Sequence, residues 1–305
     1  MPKLKDLAQQ RRNALLREGA LQLCVGPYIY RLQSDQPSIE QGLATLYSDF
    51  ELAETNQFTD YNVSVRHTGP VARWRGQVEF FFDNRRPFAP FEIRNAYAFM
   101  EWGMNWCVSV QANEYLKLHA AVVAKRGRAI MMPGIPGAGK STLCAALGLS
   151  GWRVLSDEHA LVPPGTAQVV PLYRPVSLKN GSIDVIKAFA KDAVFGPQSG
   201  DTHKGIVAHL KADLAPDSHD PTPLPVKTMV FPRYSAVEPQ QLTHRSRTHS
   251  FILAAYHSFN YSLLGSAGFR AMSVLLDATE CYDLVYRDLE WAIRTMEALH
   301  DGAPG

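Results

Sequence analysis

Near the middle of the chain, Gly134-Ile135-Pro136-Gly137-Ala138-Gly139-Lys140-Ser141 fits the phosphate-loop pattern G-x-x-x-x-G-K-[ST] in full. The flanks suit it. Ala129 to Met132 is a short apolar run of strand type, Thr142 to Leu149 is a good helix former, and Gly151 is a natural helix stop. Glycines without Cβ atoms let a backbone curl and turn several N–H groups inward, and the helix that follows adds the positive end of its dipole. Such a loop holds a polyphosphate. Gly134 to Thr142 are therefore the expected nucleotide contacts, with Lys140 on the β- and γ-phosphates and the Ser141 hydroxyl on Mg²⁺.

Two features nearby sharpen this expectation. Leu116 to Ala124 reads as a strand, Lys125 to Arg128 as a tight turn, and the loop strand then returns, so a hairpin leads into the loop. After the loop helix, Trp152 to Leu155 reads as the next strand and ends in Ser156-Asp157-Glu158. Two carboxylates at a strand end beside a Mg²⁺ site have a use. One binds the metal, directly or through water, and the other accepts the proton of an attacking hydroxyl. The plainer alternative is a polar strand terminus.

Leu118-His119-Ala120-Ala121-Val122-Val123, the hairpin, the loop and then Val154-Leu155-Ser156-Asp157-Glu158 together resemble the catalytic domain of bacterial HPr kinase/phosphorylase. Within that family the chain looks most like the related stand-alone kinases. The match covers roughly residues 116 to 235. The resemblance implies an α/β fold with a phosphate-loop kinase core of the HPr kinase and phosphoenolpyruvate carboxykinase type, at residues 114–300. Outside the resemblance, the patterning leads us to expect a smaller α+β domain at residues 1–113, a candidate for substrate recognition, and a tail at 301–305.

The resemblance also implies ATP and Mg²⁺ as cofactors and gives the site. Lys140, Asp157, Glu158 and His119 are catalytic, and Ser141, Asp157 and Glu158 face the metal. Without the resemblance, His119 reads rather as a hydrogen-bonded strand histidine, and it is the resemblance that makes it a site residue. Pro171 to Phe189 is similar to a family segment that carries a metal-holding glutamate and an arginine. Lys179 falls near the arginine, but Ser177 stands where the glutamate would be. That departure speaks against the reverse, phosphorylase reaction and against recognition of HPr itself. Lys204, in a stretch (Ala193 to Asp217) expected to include a mobile loop, is a second substrate candidate.

The implied activity is a kinase acting on a hydroxyl of a peptide, protein or small metabolite. The alternative is a switch in which ATP occupancy or hydrolysis controls partner binding. Some relatives work beside a small peptide-binding partner protein, and relatives form rings of subunits, so a homo-oligomer is also implied. A net charge of +2 gives no field for nucleic acid or a membrane surface. Four scattered cysteines without a C-x-x-C pair suit a reducing cytoplasm, and no signal peptide or membrane-span pattern is evident. His203, His209, His219, His244, His249 and His257 fit no metal-ligand spacing.

Elsewhere the patterning predicts strands over Leu21 to Val25, Tyr28 to Arg31, Val63 to His67, Val71 to Gly76 and Gln77 to Phe82. It predicts a buried helix over Ala96 to Tyr115, with a domain boundary near Asn113, and a strand over Val226 to Phe231 that stops at Pro232. A single helix is expected over Ser250 to Gly265, then a strand over Tyr282 to Tyr286, and Asp288 caps a last helix.

Overall fold

The computed structural model describes residues 1–54, 57–202, 205–212, 215 and 218–302. The chain is a mixed α/β protein with two compact units. One comprises Met1–Val110 and Ser177–Lys211, the other Gln111–Val176 and Ala212–Gly305. The sequence-based division is a single cut near Asn113, whereas these units are each made of two chain segments.

In the first unit, Leu21–Val25 pairs antiparallel with Tyr28–Ser34, which runs parallel to Tyr61–Arg66; Gln77–Phe82 and the short Phe91–Glu92 complete a five-stranded sheet. The helix Ala96–Gln111 packs closely on it. A Cβ at Gly103 would fall 1.8 Å from the Phe80 ring, so only glycine permits that approach. The same helix buries Glu101, whose carboxyl oxygens accept hydrogen bonds from the hydroxyls of Tyr47 and Tyr97, so the buried polar group is hydrogen-bonded. Val176–Lys179, Gly205–Leu210 and Ser199–Thr202 form a separate three-stranded sheet.

The second unit carries an eight-stranded sheet. Leu116–Lys125 and Arg128–Pro133 form the expected hairpin, turning at Arg126 and Gly127, whose φ values of 47° and 75° suit a two-residue turn of the primed type. Arg128–Pro133 lies parallel to the long strand Leu224–Tyr234, which lies parallel to Glu280–Tyr286. On its other side Leu116–Lys125 pairs antiparallel with His159–Val162 and Arg153–Ser156. Leu118, Ala120, Val122 and Met131 join a core with Ala254, Met272 and Leu275 from the helices Arg247–Tyr256 and Ser266–Asp277. Side chains alternate along a strand, which leaves buried Ala121, Val123, Ile130 and Met132 to the opposite face. The helix Lys140–Leu149 lies over these strands and packs on the last helix, Leu289–Asp301. A sheet covered on both faces explains why its strands read as nearly unbroken apolar runs.

Four expectations are corrected. Val71 to Gly76 is not a strand but sits in a short helix, Pro70–Trp74, with Pro70 in its first turn, where proline's fixed φ is already helical. The helix from Ala96 ends at Gln111, short of Tyr115. The strand from Leu224 runs through Pro232 to Tyr234; its pairing with Arg128–Pro133 ends at Met229, so only one side is laddered there. Ser250 to Gly265 is not one helix but two, Arg247–Tyr256 and Tyr261–Leu264. Between them the chain extends to pair with Leu116–Lys125: His119 N–H donates to the His257 carbonyl at 2.7 Å and Phe259 N–H to the Lys117 carbonyl at 2.9 Å. Among the described residues no helix is long and apolar enough to cross a membrane.

Candidate active site

The segment Gly134 to Gly139 joins the end of strand Arg128–Pro133 to the start of helix Lys140–Leu149. Gly137 and Gly139 sit at φ 86° and 92°, a region that side chains rarely adopt. The loop is clasped from outside. The Tyr286 hydroxyl donates to the Gly139 carbonyl at 2.9 Å, and Tyr234 N–H donates to the Ala138 carbonyl at 3.0 Å. From inside, the Lys140 ammonium donates to the carbonyls of Gly134 at 2.5 Å and Ile135 at 3.0 Å. Its side chain is buried, and the first N–H groups of its helix have no intrahelical acceptors. Ser141 and Thr142, both half-buried, lie in that first turn.

Strand register fixes where the acid pair lies. Ala120 pairs with Pro133, the last residue before the loop, while its N–H donates to the Glu158 carbonyl at 3.2 Å. Val122 pairs with Met131 on one side and Ser156 on the other. The loop strand and the acid strand therefore end at one sheet edge with a single strand between them, about 10 Å apart. The Ser156 hydroxyl shapes the turn by accepting from the N–H groups of Glu158 and His159, at 3.3 and 2.9 Å. Asp157 is buried, and its charge lies near Cys144. Burial first, and that carboxylate second, push the Cys144 thiol well up. Cys144 follows Ser141 by three residues, so both lie on one flank of the helix, the flank Asp157 meets. Glu158 is more exposed, and its Oε1 lies 3.6 Å from His119 Nε2.

Around His119 is a set of residues that sequence reasoning missed. His159 is its direct cross-strand partner. The Phe259 ring stacks on His159 with centroids 4.7 Å apart and lies 5.7 Å from His119. Burial pushes the His159 imidazole down to about 3; the nearby Glu158 charge opposes this, while Arg174, His119 and Lys117 reinforce it. Lys117, fully buried and also lowered by burial, to about 8, donates to Asn113 Oδ1 at 3.2 Å. No local motif marks these residues. What gathers them is the pairing of three chain segments at one strand.

On the other side of the loop, toward Leu224–Tyr234 and Glu280–Tyr286, is a cavity of about 650 Å³. Gly134 to Ala138 form one wall; Phe231 to Tyr234, Arg245, Leu253, His257 and Asp283 form others. Arg245 lies 4.9 Å over the Phe231 ring and donates to both Asp283 oxygens at 2.7 and 2.9 Å. His257 is buried, and burial, then the Lys140 charge, lowers its pKa.

The structure thus brings Gly134 to Thr142, Asp157, Glu158 and His119 to one edge of the second unit's sheet. Lys179 belongs to the first unit, where its backbone N–H and carbonyl both bond the Ser182 hydroxyl. Lys204 lies outside the described residues. Among the described residues no group of three or more His, Cys, Asp or Glu side chains is arranged to hold a metal ion.

No family model matches the chain, and no curated protein matches it. Among solved structures, the Hpr(Ser) kinase/phosphatase from Coxiella burnetii is similar at 12% sequence identity over 61% of this chain and 95% of that one. The TM-score of 0.28 is too low for that likeness to carry any conclusion about this chain.

Proposed function

We propose that the chain is an ATP- and Mg²⁺-dependent kinase that transfers the γ-phosphoryl group to a hydroxyl of a peptide, protein or small-molecule acceptor. The observation that carries this reading is the register at Ala120, with the loop on one side and the acid pair on the other. A group held on the loop amides then has its far phosphate beside two carboxylates.

The residues present fit both cofactors. The cradle has no room for a side chain at Gly139, where a Cβ would fall 2.3 Å from the Tyr286 hydroxyl. The N–H groups of a helix's first turn, with the positive end of its dipole, and a buried ammonium suit a polyphosphate. Mg²⁺ commonly binds one or two protein oxygens together with phosphate oxygens, so Ser141 and Asp157 suffice without a larger cluster. When bound, the metal neutralises charge that builds on the phosphoryl oxygens.

Lys140 exchanges the Gly134 and Ile135 carbonyls for phosphate oxygens and stabilises the leaving diphosphate. Glu158, the more exposed acid, accepts the proton of the acceptor hydroxyl as its oxygen bonds to the γ-phosphorus and the bridging P–O bond breaks. His119 beside it orients that carboxylate. Asp157, buried against the loop helix, serves the metal side.

The test is incubation with γ-labelled ATP in a cell extract, with Lys140→Ala as control. A labelled acceptor that depends on Lys140 is expected. Release of labelled phosphate with no labelled acceptor would refute the kinase reading in favour of the switch.

A further inference from the structure

We infer that the arginine-rich projection of the first unit around Trp74 is a docking surface for an acidic peptide segment that carries an apolar residue among its carboxylates. The inference does not depend on the kinase reading. Between Arg66 and Arg94 the chain has six arginines, no lysine and three acidic residues. All three acids are already engaged: Glu79 with Arg86 and Thr68, Asp83 with Asn62, and Glu92 with Arg94. Among the described residues, by contrast, no carboxylate pairs with Arg66, Arg73, Arg75 or Arg85. The surplus is positive charge left for an outside anion.

An apolar anchor stands among these charges. The helix Pro70–Trp74 is a single turn, so Val71 and Trp74 lie on one side of it, and they are 63% and 86% exposed. Ile93, also exposed, adjoins the end of the turn, where its N–H donates to the Gly76 carbonyl at 2.8 Å. An open tryptophan between two arginines, Arg73 and Arg75, is a combination in which binding energy concentrates at protein interfaces. The projection is also held in place. His67 Nδ1 bonds the Gln77 carbonyl at 2.8 Å and the Thr68 hydroxyl donates to Glu79, so the chain entering the turn is tied to the strand Gln77–Phe82 that leaves it. On that strand, Arg66 and Arg86 lie 4.7 and 5.8 Å over the Phe81 ring, which sets the directions of their guanidinium groups. Such fixed forks suit carboxylates, which they bind through two parallel N–H···O bonds.

The scale of the patch selects a peptide over other polyanions. A nucleic acid or an anionic bilayer reads charge over a wide surface, and a net charge of +2 supplies no such field. One helical turn offers too few apolar side chains to anchor a protein in a bilayer. A few arginines about one aromatic anchor match a short acidic segment.

The test pans random short peptides displayed on phage against the immobilised full chain, then measures a selected peptide, synthesised with a fluorescent label, by anisotropy. Selection should enrich Asp and Glu with an aliphatic or aromatic residue among them. Trp74→Ala and the double variant Arg73→Glu/Arg75→Glu should each weaken that peptide at least tenfold, and added salt should weaken its binding to the wild type. These side chains are exposed, so both variants should keep the wild-type midpoint in urea. Selection without acidic enrichment, or binding indifferent to both variants, would overturn the proposal. So would a wild type that self-associates through Trp74 in sedimentation, or one that binds phosphatidylserine vesicles through Trp74 and no acidic peptide, because the patch then belongs to a second copy or to a membrane.

Discussion

Replacing Gly139 with alanine tests whether the shape of the loop, rather than its composition alone, makes the site. Gly139 sits at φ 92°, and a Cβ there would lie 2.3 Å from the Tyr286 hydroxyl oxygen, 3.1 Å from its Cζ and 3.2 Å from Tyr234 Cβ. Alanine in a left-handed conformation costs roughly 1–2 kcal/mol. The Tyr286 ring is buried and cannot swing into solvent, so the hydroxyl must retreat and its bond to the Gly139 carbonyl is lost, about 1 kcal/mol more. The variant should therefore unfold in urea with about 2–3 kcal/mol less stability, and its ATP affinity should fall at least tenfold because the loop N–H groups are re-aimed. Tyr286→Phe removes the nearest clashing atom. The double variant should be less destabilised than the sum of the two single variants, by about 1 kcal/mol, since residues in contact couple on that scale. If Gly139→Ala stays within about 0.5 kcal/mol of the wild type, the range of an indifferent surface change, and binds ATP normally, the clasp has no bearing on the site.

Asp157→Asn should retain ATP binding in calorimetry and lose phosphoryl transfer by at least a hundredfold, as expected for a group that acts through charge on the metal; normal turnover would remove Asp157 from the site. His159 is held neutral with its folded pKa near 3, against about 6.5 when unfolded, so the unfolded chain binds the extra proton between those values. Its contribution is therefore complete above pH 6.5 and is lost on acidification: between pH 7.5 and 5.5 the wild type should lose about 1.4 kcal/mol more than His159→Phe in urea titrations. Asp288→Ala removes the side-chain bond to Trp291 N–H at 2.7 Å that begins the last helix, and should lower stability by about 1 kcal/mol without changing ATP affinity.

The local part of the site was legible in the sequence because its signals are local. Glycines at positive φ, the helix after the loop (expected from Thr142 and found from Lys140), the hairpin turn at Arg126 and Gly127, and the Asp288 cap are each written within a few residues. What was not legible depends on partners far along the chain. The break after Tyr256 arises because the extended segment completes a strand pairing with Lys117 and His119, and nothing in Ser250 to Gly265 announces it. The strand at Leu224 continues past Pro232 because its neighbour on one side has already ended, so the missing N–H interrupts no ladder there. His257 reads in the sequence as one scattered histidine among several, and only the fold sets it beside the loop. Val71 to Gly76 misled by composition: Val71 and Trp74 suggest a strand, yet Pro70 starts a single helical turn that leaves both exposed.

The two tyrosines that hold the loop lie far beyond it in the chain. A fragment ending before Glu280 would contain every residue of the glycine–lysine signature and would still lack Tyr286 and the strand that carries it. The signature thus spells the ingredients of the cradle, while its final form is set by residues translated well after it, so on the ribosome the loop cannot take its clasped form until the strand carrying Tyr286 has emerged.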